Sequence, residues 1–188
     1  MPRGRPQFGF LVIDCPSDHE IDGSLVTESQ TIRAVLANKN LGSRLKIIRC
    51  TTADSFACLP NRVYSGIRYV HLGGHGSRKG LEFIGGQIPW AKVAQKLTRV
   101  LPRLKQGERR ILTLSCCYST DGIESMKPYL MGHFSAAYHF VPKKIGFSQA
   151  ITVWSMFYLK KKISQPHAAI VKKLNRFLET EVIVFAKI

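Results

Sequence analysis

The sequence predicts an α/β fold, in which a mostly parallel sheet of six strands is flanked by helices. Short apolar runs bounded by polar or turn residues alternate with stretches whose apolar residues recur at helical spacing. This alternation is typical of βαβ units and a parallel sheet. The six predicted strands cover residues 8–13, 45–49, 67–72, 111–115, 136–141 and 181–188.

The predicted helices fill the intervals between these strands. The clearest has an amphipathic stripe that begins after Pro89 and runs through Leu104. A small hairpin, turned by a pair of glycines, is predicted just before it, over residues 81–88. The other predicted helices run from Ser24 to a stop signal at Gly42, or cover residues 54–59, 123–130, 147–162 and 168–178.

Length and composition indicate a single domain over residues 1–188, large enough to bury a core without disulfide or metal support. No apolar run approaches the roughly 18 residues of a membrane span, and the basic N-terminus lacks the features of a signal peptide. The five cysteines show no C-x-x-C spacing, so free thiols in a reducing compartment are expected. We therefore expect a cytoplasmic protein with no cofactor, no metal and no membrane association.

The charge of the chain is strongly positive, with 28 Lys and Arg against 12 Asp and Glu and a net charge of +16. Such a surface attracts acidic proteins or nucleic acid, although no nucleic-acid-binding motif is present. Acids concentrate instead in residues 14–28, which hold five of the twelve. The basic side chains of the helices are interpreted as solvated charge or as a docking surface: Arg99, Arg103, Lys105, Arg109, Arg110, Lys160, Lys161, Lys162, Lys172, Lys173 and Arg176.

Two short stretches with chemically reactive side chains follow the third and fourth predicted strands. The first is HLGGHGS, residues 71–77, and the second is LSCCYS, residues 114–119. In open α/β sheets, function collects outside the carboxyl ends of the strands. Asp14, His75 and Cys117 all fall at such ends, which favours a shared site.

A cysteine and a histidine at neighbouring strand ends predict a thiol nucleophile and its base. Strand alternation places Cys116 on a purely apolar face, which favours its burial in the core. Cys117 lies on the opposite face, before a polar loop, and is the favoured nucleophile. The glycine-rich sequence around His75 predicts a turn that presents the Gly76 amide to an oxyanion, with the Cys117 amide as the second donor.

Other interpretations of these residues stay open. His75 could be a structural turn histidine, and His71 is more typical of a strand residue that supports the site. A zinc site from both histidines and the cysteines is disfavoured, because the i and i+4 histidines do not share a helical face. A phosphate-binding loop is also disfavoured, since neither dinucleotide nor P-loop glycine spacing is present.

The two stretches resemble the motifs of the caspase-like cysteine peptidases, and in particular of their CHAT branch. The matching residues are Gly74-His75-Gly76 and Leu114-Ser115-Cys116-Cys117, and the order of predicted elements is similar over nearly the whole chain. The resemblance implies a caspase-like three-layer sandwich and a single-chain endopeptidase. His75 would be its base, Cys117 its nucleophile, and proteins its substrates. It also implies regulation by a separate sensor protein, because the branch's usual partner domains do not appear in the sequence.

Two acids are candidates for substrate binding. Several caspase relatives that prefer Arg or Lys carry acids near the positions of Asp14 and Asp121, so these residues are expected to bind a basic substrate side chain. The alternative function is a catalytically idle, basic module of the same fold that binds an acidic protein or nucleic acid.

Overall fold

The computed structural model describes residues 9–16, 27–61, 66–162 and 165–188. In this part of the chain, eight strands form one mixed sheet. The predicted first strand includes Phe8, and the predicted first helix includes Ser24 and Leu25. These three residues lie outside the described ranges. The strands are β1 Gly9–Cys15, β2 Leu45–Arg49, β3 Ile67–Gly76, β4 Gly80–Phe83, β5 Gly86–Pro89, β6 Ile111–Ser115, β7 Ala136–Phe140 and β8 Ile183–Lys187.

The main sheet has the order β2-β1-β3-β6-β7-β8. All neighbouring pairs along it are parallel except β7 and β8, which are antiparallel. The mostly parallel α/β sheet is thus confirmed, whereas the strand count of six is wrong. The hairpin β4–β5 adds two strands because β3 continues past the main sheet and pairs antiparallel with β4.

Helices cover both faces of the main sheet, which gives three layers. Apolar side chains of helices α1, α5 and α6 pack on one face, and those of α2, α3 and α4 pack on the other. In the described part of the chain, no helix combines the length and apolar character that a membrane span needs. The helices are α1 Glu28–Asn38, α2 Ala53–Ala57, α3 Trp90–Val100, α4 Ser119–Leu130, α5 Phe147–Lys160 and α6 His167–Phe177.

Helix α3 ends earlier than its apolar stripe predicts. The helix stops at Val100, and Leu101 has an extended conformation with φ −111° and ψ 132°. Pro102 explains the difference, because proline disfavours helical geometry in the residue before it. Leu101 is nevertheless fully buried, so the periodicity correctly indicated burial beyond the end of the helix.

The interpretation of Arg110 as solvated charge is wrong. Its side chain is only 1% exposed, and its guanidinium donates to the carbonyls of Ile67 at 3.0 Å, Pro102 at 2.9 Å and His133 at 2.8 Å. Arg110 therefore holds three separate segments together at the start of β6, and burial lowers its pKa to about 10.

Candidate active site

A cleft lies where the carboxyl ends of β1, β3 and β6 meet the N-termini of α1 and α5. Together with the open solvent at its mouth, it has a volume of about 650 Å³. Three of the predicted site residues, Asp14, His75 and Cys117, line it together. The expectation that these strand ends converge is therefore met.

Cys117 occupies a sharp junction between β6 and helix α4. The prediction of a polar loop after Cys117 is wrong, because the residues from Ser119 onward belong to helix α4. Between strand and helix, Tyr118 has a left-handed backbone with φ 54°, a costly conformation for a bulky residue. Its amide donates to the Lys143 carbonyl at 2.7 Å. This junction directs the partly exposed Cys117 toward the cleft, 3.9 Å from the Ile145 carbonyl oxygen.

Cys116 occupies the opposite environment, as strand alternation predicts. It is 2% exposed and packs in the apolar cluster beneath α3 and α4. Burial raises the pKa of its thiol well above the usual value. A buried thiol with a raised pKa is a poor nucleophile, so Cys117 is the better candidate.

His75 is part of strand β3, not of a turn. Residues 73–76 continue the strand, and His75 pairs with Glu82 of β4. The glycines here allow close approach of neighbouring chain: a Cβ on Gly76 would lie 2.6 Å from the Cys117 carbonyl oxygen and 3.0 Å from the Cys116 sulfur. The end of β3 thus lies directly against the Cys116–Cys117 segment, with the exposed His75 next to the contact.

The hairpin geometry also fixes the direction of the Gly76 amide. The amide of Ser77 donates to the Gly80 carbonyl at 3.0 Å, so these two residues form a hydrogen-bonded pair. Such pairs alternate along an antiparallel ladder, and the adjacent pair of Gly76 and Leu81 is therefore not hydrogen-bonded. The Gly76 N–H consequently points away from β4, as an oxyanion donor must.

Asp14 lies at the end of β1, in the floor of the cleft. Its carboxylate accepts a hydrogen bond from the Ser29 hydroxyl at 2.7 Å and lies 3.6 Å from the Arg49 guanidinium. Burial raises the pKa of this carboxyl, although the Ser29 hydrogen bond and Arg49 oppose the shift. Asp14 is therefore a partly desolvated carboxyl that a cationic partner would stabilise in its ionised form.

Glu28 is a second carboxylate in the cleft, at a position that no sequence motif indicates. It is the first residue of helix α1 and lies within the capping box that Thr27 and Gln30 form. Its side chain occupies the space above Gly73, where a Cβ would come within 2.7 Å of the carboxylate. The concentration of acids in residues 14–28 is the one feature of the sequence that points to Glu28. Its position at the ends of β3 and β6 depends on the fold.

Glu28 belongs to a buried polar network beneath the cleft. Its carboxylate accepts from the Ser115 hydroxyl at 2.8 Å and lies 3.2 Å from the His71 Nε2. The His71 contact has the distance of an ion pair without hydrogen-bond alignment. On its other side, the His71 Nδ1 lies 2.8 Å from the Thr113 hydroxyl, which lies 3.0 Å from the Tyr158 hydroxyl. His71 is thus a buried strand histidine, as expected, but of its two ring nitrogens only Nδ1 has a hydrogen-bond partner among the described residues.

The zinc interpretation finds no support in the described residues, where no group of three or more His, Cys, Asp and Glu side chains is arranged to hold a metal ion. Asp121 lies in the first turn of α4 and is not among the described residues that line the cleft. The structure therefore brings Asp14 and Glu28 together, and leaves Asp121 apart from them.

A scan against protein-family models and a search of curated protein sequences return no match for this chain.

Proposed function

We propose that this chain is a caspase-like cysteine endopeptidase, with His75 as base and Cys117 as nucleophile. The observation that carries the proposal is the contact between the end of β3, at Gly76, and the Cys116–Cys117 segment. Because of this contact, the two predicted catalytic side chains line one cleft that is open to solvent.

Acylation begins when the Cys117 thiol gives its proton to the neutral imidazole of His75. The sulfur attacks the carbonyl carbon of the peptide bond, and the carbonyl electrons move onto oxygen. The Gly76 and Cys117 amides donate to this oxyanion, and the positive end of α4, which begins at Ser119, also favours negative charge there. Collapse breaks the C–N bond, the leaving amine takes the proton from His75, and a thioester remains on Cys117.

Deacylation uses the same groups. His75 removes a proton from water, and the resulting hydroxide attacks the thioester carbonyl under the same two amides. Collapse breaks the C–S bond and releases a carboxylic acid. The sulfur of Cys117 regains its proton from His75, which restores the starting state.

The cleft favours substrates with Arg or Lys before the scissile bond. Asp14 and Glu28 are buried carboxylates in its floor, 7% and 8% exposed, in a chain of net charge +16. A guanidinium or ammonium would replace the water that burial removes from Asp14 and so stabilise its ionised form. The same proposal includes a separate regulatory protein that raises a basal activity which the chain has on its own.

The test is hydrolysis of fluorogenic peptides that end in Arg, Lys or Asp, with purified protein. We expect turnover of the basic peptides and a loss of at least about a thousandfold in Cys117→Ala. Cys116→Ala is the matched control, since it removes the neighbouring thiol and should keep catalysis. Equal turnover in Cys117→Ala, or none in the wild type with any peptide, would overturn the peptidase. Salt-sensitive polyanion binding that persists in Cys117→Ala would then favour the idle binding module.

A further inference from the structure

A second cavity lies at the end of the sheet opposite the catalytic cleft. Helices α1 and α5 both begin at the cleft and end at this cavity, roughly 16 to 21 Å away at 1.5 Å per residue. Together with the open solvent at its mouth, the cavity has a volume of about 520 Å³. Three lysines, two tyrosines, Phe10 and Leu41 are the described residues that line it.

Two of the lysines are held in place by carbonyl groups near the end of α5. The Lys39 ammonium donates to the carbonyls of Tyr158 at 2.7 Å and Leu159 at 3.1 Å. The Lys161 ammonium donates to the carbonyls of Lys162 at 2.7 Å and Gln165 at 2.9 Å. An ammonium has three donors, and the described residues supply two acceptors to each of these lysines, which leaves one N–H of each for a further acceptor.

The described residues that line the cavity carry positive charge only. No Asp or Glu is present among the described lining residues. Lys161 is only 6% exposed, so its interpretation as solvated charge is wrong. Burial and then the Arg109 charge lower its pKa to about 8, while burial and then the Lys162 charge lower the pKa of Lys39. A bound anion would stabilise the charged form of both ammonium groups and so oppose the lowering of their pKa values.

The floor of the cavity is aromatic. Phe10 and Tyr69 stack with their ring centroids 5.0 Å apart and, together with Tyr158, form a buried aromatic floor. Lysine is a compact point charge, and three such charges match a group with several anionic oxygens better than a single carboxylate. We propose that this cavity binds a small anion that carries phosphate groups, with Lys39, Lys161 and Lys162 as its cationic contacts.

The test is isothermal titration calorimetry of the whole chain with inorganic tripolyphosphate at physiological salt. We expect one site per chain, and at least a tenfold loss of affinity in the Lys39→Ala, Lys162→Ala double variant, because each lost ammonium removes a charge-assisted contact. The Lys162→Ala single variant changes only an exposed residue, so it should also weaken binding without a change in folding.

The matched control is the Lys172→Ala, Lys173→Ala double variant, which removes two exposed charges from α6. It should keep the wild-type affinity. No measurable binding, or equal losses in the cavity and control variants, would overturn the proposal, since equal losses indicate attraction by net charge alone. A parallel titration with a nucleoside triphosphate distinguishes the source: tighter binding indicates an organic phosphate ligand, and equal binding indicates recognition of the phosphates alone. Peptidase activity is not measured, so these results are independent of the proposed function.

Discussion

Gly76 offers the sharpest test of the contact that forms the cleft. In Gly76→Ala, the added methyl would lie 2.6 Å from the Cys117 carbonyl oxygen, 3.0 Å from the Cys116 sulfur and 3.2 Å from the Cys116 Cβ. Carbon and oxygen atoms do not approach so closely without repulsion, so one backbone must move by about half an ångström or more. The nearest of these atoms, the Cys117 carbonyl oxygen, belongs to the backbone and cannot move away by a side-chain rotation.

Two measurable effects follow from this displacement. Overpacking of this kind costs about 1–3 kcal/mol of unfolding free energy, which urea denaturation will report. Misplacement of the nucleophile relative to its base and oxyanion donors lowers kcat by about a hundredfold for a shift near 1 Å. We expect KM to change less than kcat, because the carboxylates in the cleft floor lie outside the contact.

Gly86→Ala is the matched control for this experiment. Gly86 lies in the adjacent hairpin, and the nearest atom to its added methyl is the Ala53 Cβ at 3.9 Å, an ordinary contact. That variant should match the wild type in stability and turnover. If Gly76→Ala behaved like Gly86→Ala, the β3 end would not lie against Cys117 as described, and the reasoning about the cleft would be wrong.

Two further predictions concern buried ionisable groups. Arg110→Ala should lose at least about 3 kcal/mol of stability in urea unfolding, because three carbonyls lose a charged donor. The control, Arg109→Ala at an exposed position, should change the stability by less than about 0.5 kcal/mol. Similar effects of the two substitutions would contradict the conclusion that Arg110 holds three segments together. Asp14→Asn removes a carboxyl whose pKa burial raises. Because the pKa of Asp14 is raised on folding, the folded protein holds the proton of this carboxyl more tightly than the unfolded chain. The stability of the wild type relative to Asp14→Asn should therefore be greatest below about pH 4, the pKa of an aspartate in the unfolded chain. It should then fall as pH rises through the raised folded pKa, and a pH-independent difference between the two proteins would contradict the shift.

Local sequence signals were sufficient for most of the sheet. The strands at 45–49 and 111–115 are confirmed at both ends, and the glycine-turned hairpin is present. Alternation along β6 correctly separated Cys116 from Cys117, because the period of two is a local property of the strand. These features depend on neighbouring residues alone.

Features that depend on distant residues were not predictable in the same way. The glycines of residues 73–76 predict a turn, yet in the structure they make room for Cys117 and for the Glu28 carboxylate. The start of α4 was missed because the left-handed Tyr118 at its N-terminus is not a helix-start signal. Burial of Arg110 requires carbonyls from three separate segments, which no local pattern encodes.

The parallel sheet also determines when the cleft can exist during synthesis of the chain. Its lining residues come from positions as far apart as Asp14 and Ala150, and β3 reaches β6 only after some forty residues more have been made. Helix α5, which supplies the last wall, is made later still. A nascent chain on the ribosome therefore carries Cys117 and His75 without an assembled pocket around them. The cleft therefore cannot act until most of the protein has been translated and its central strands have paired.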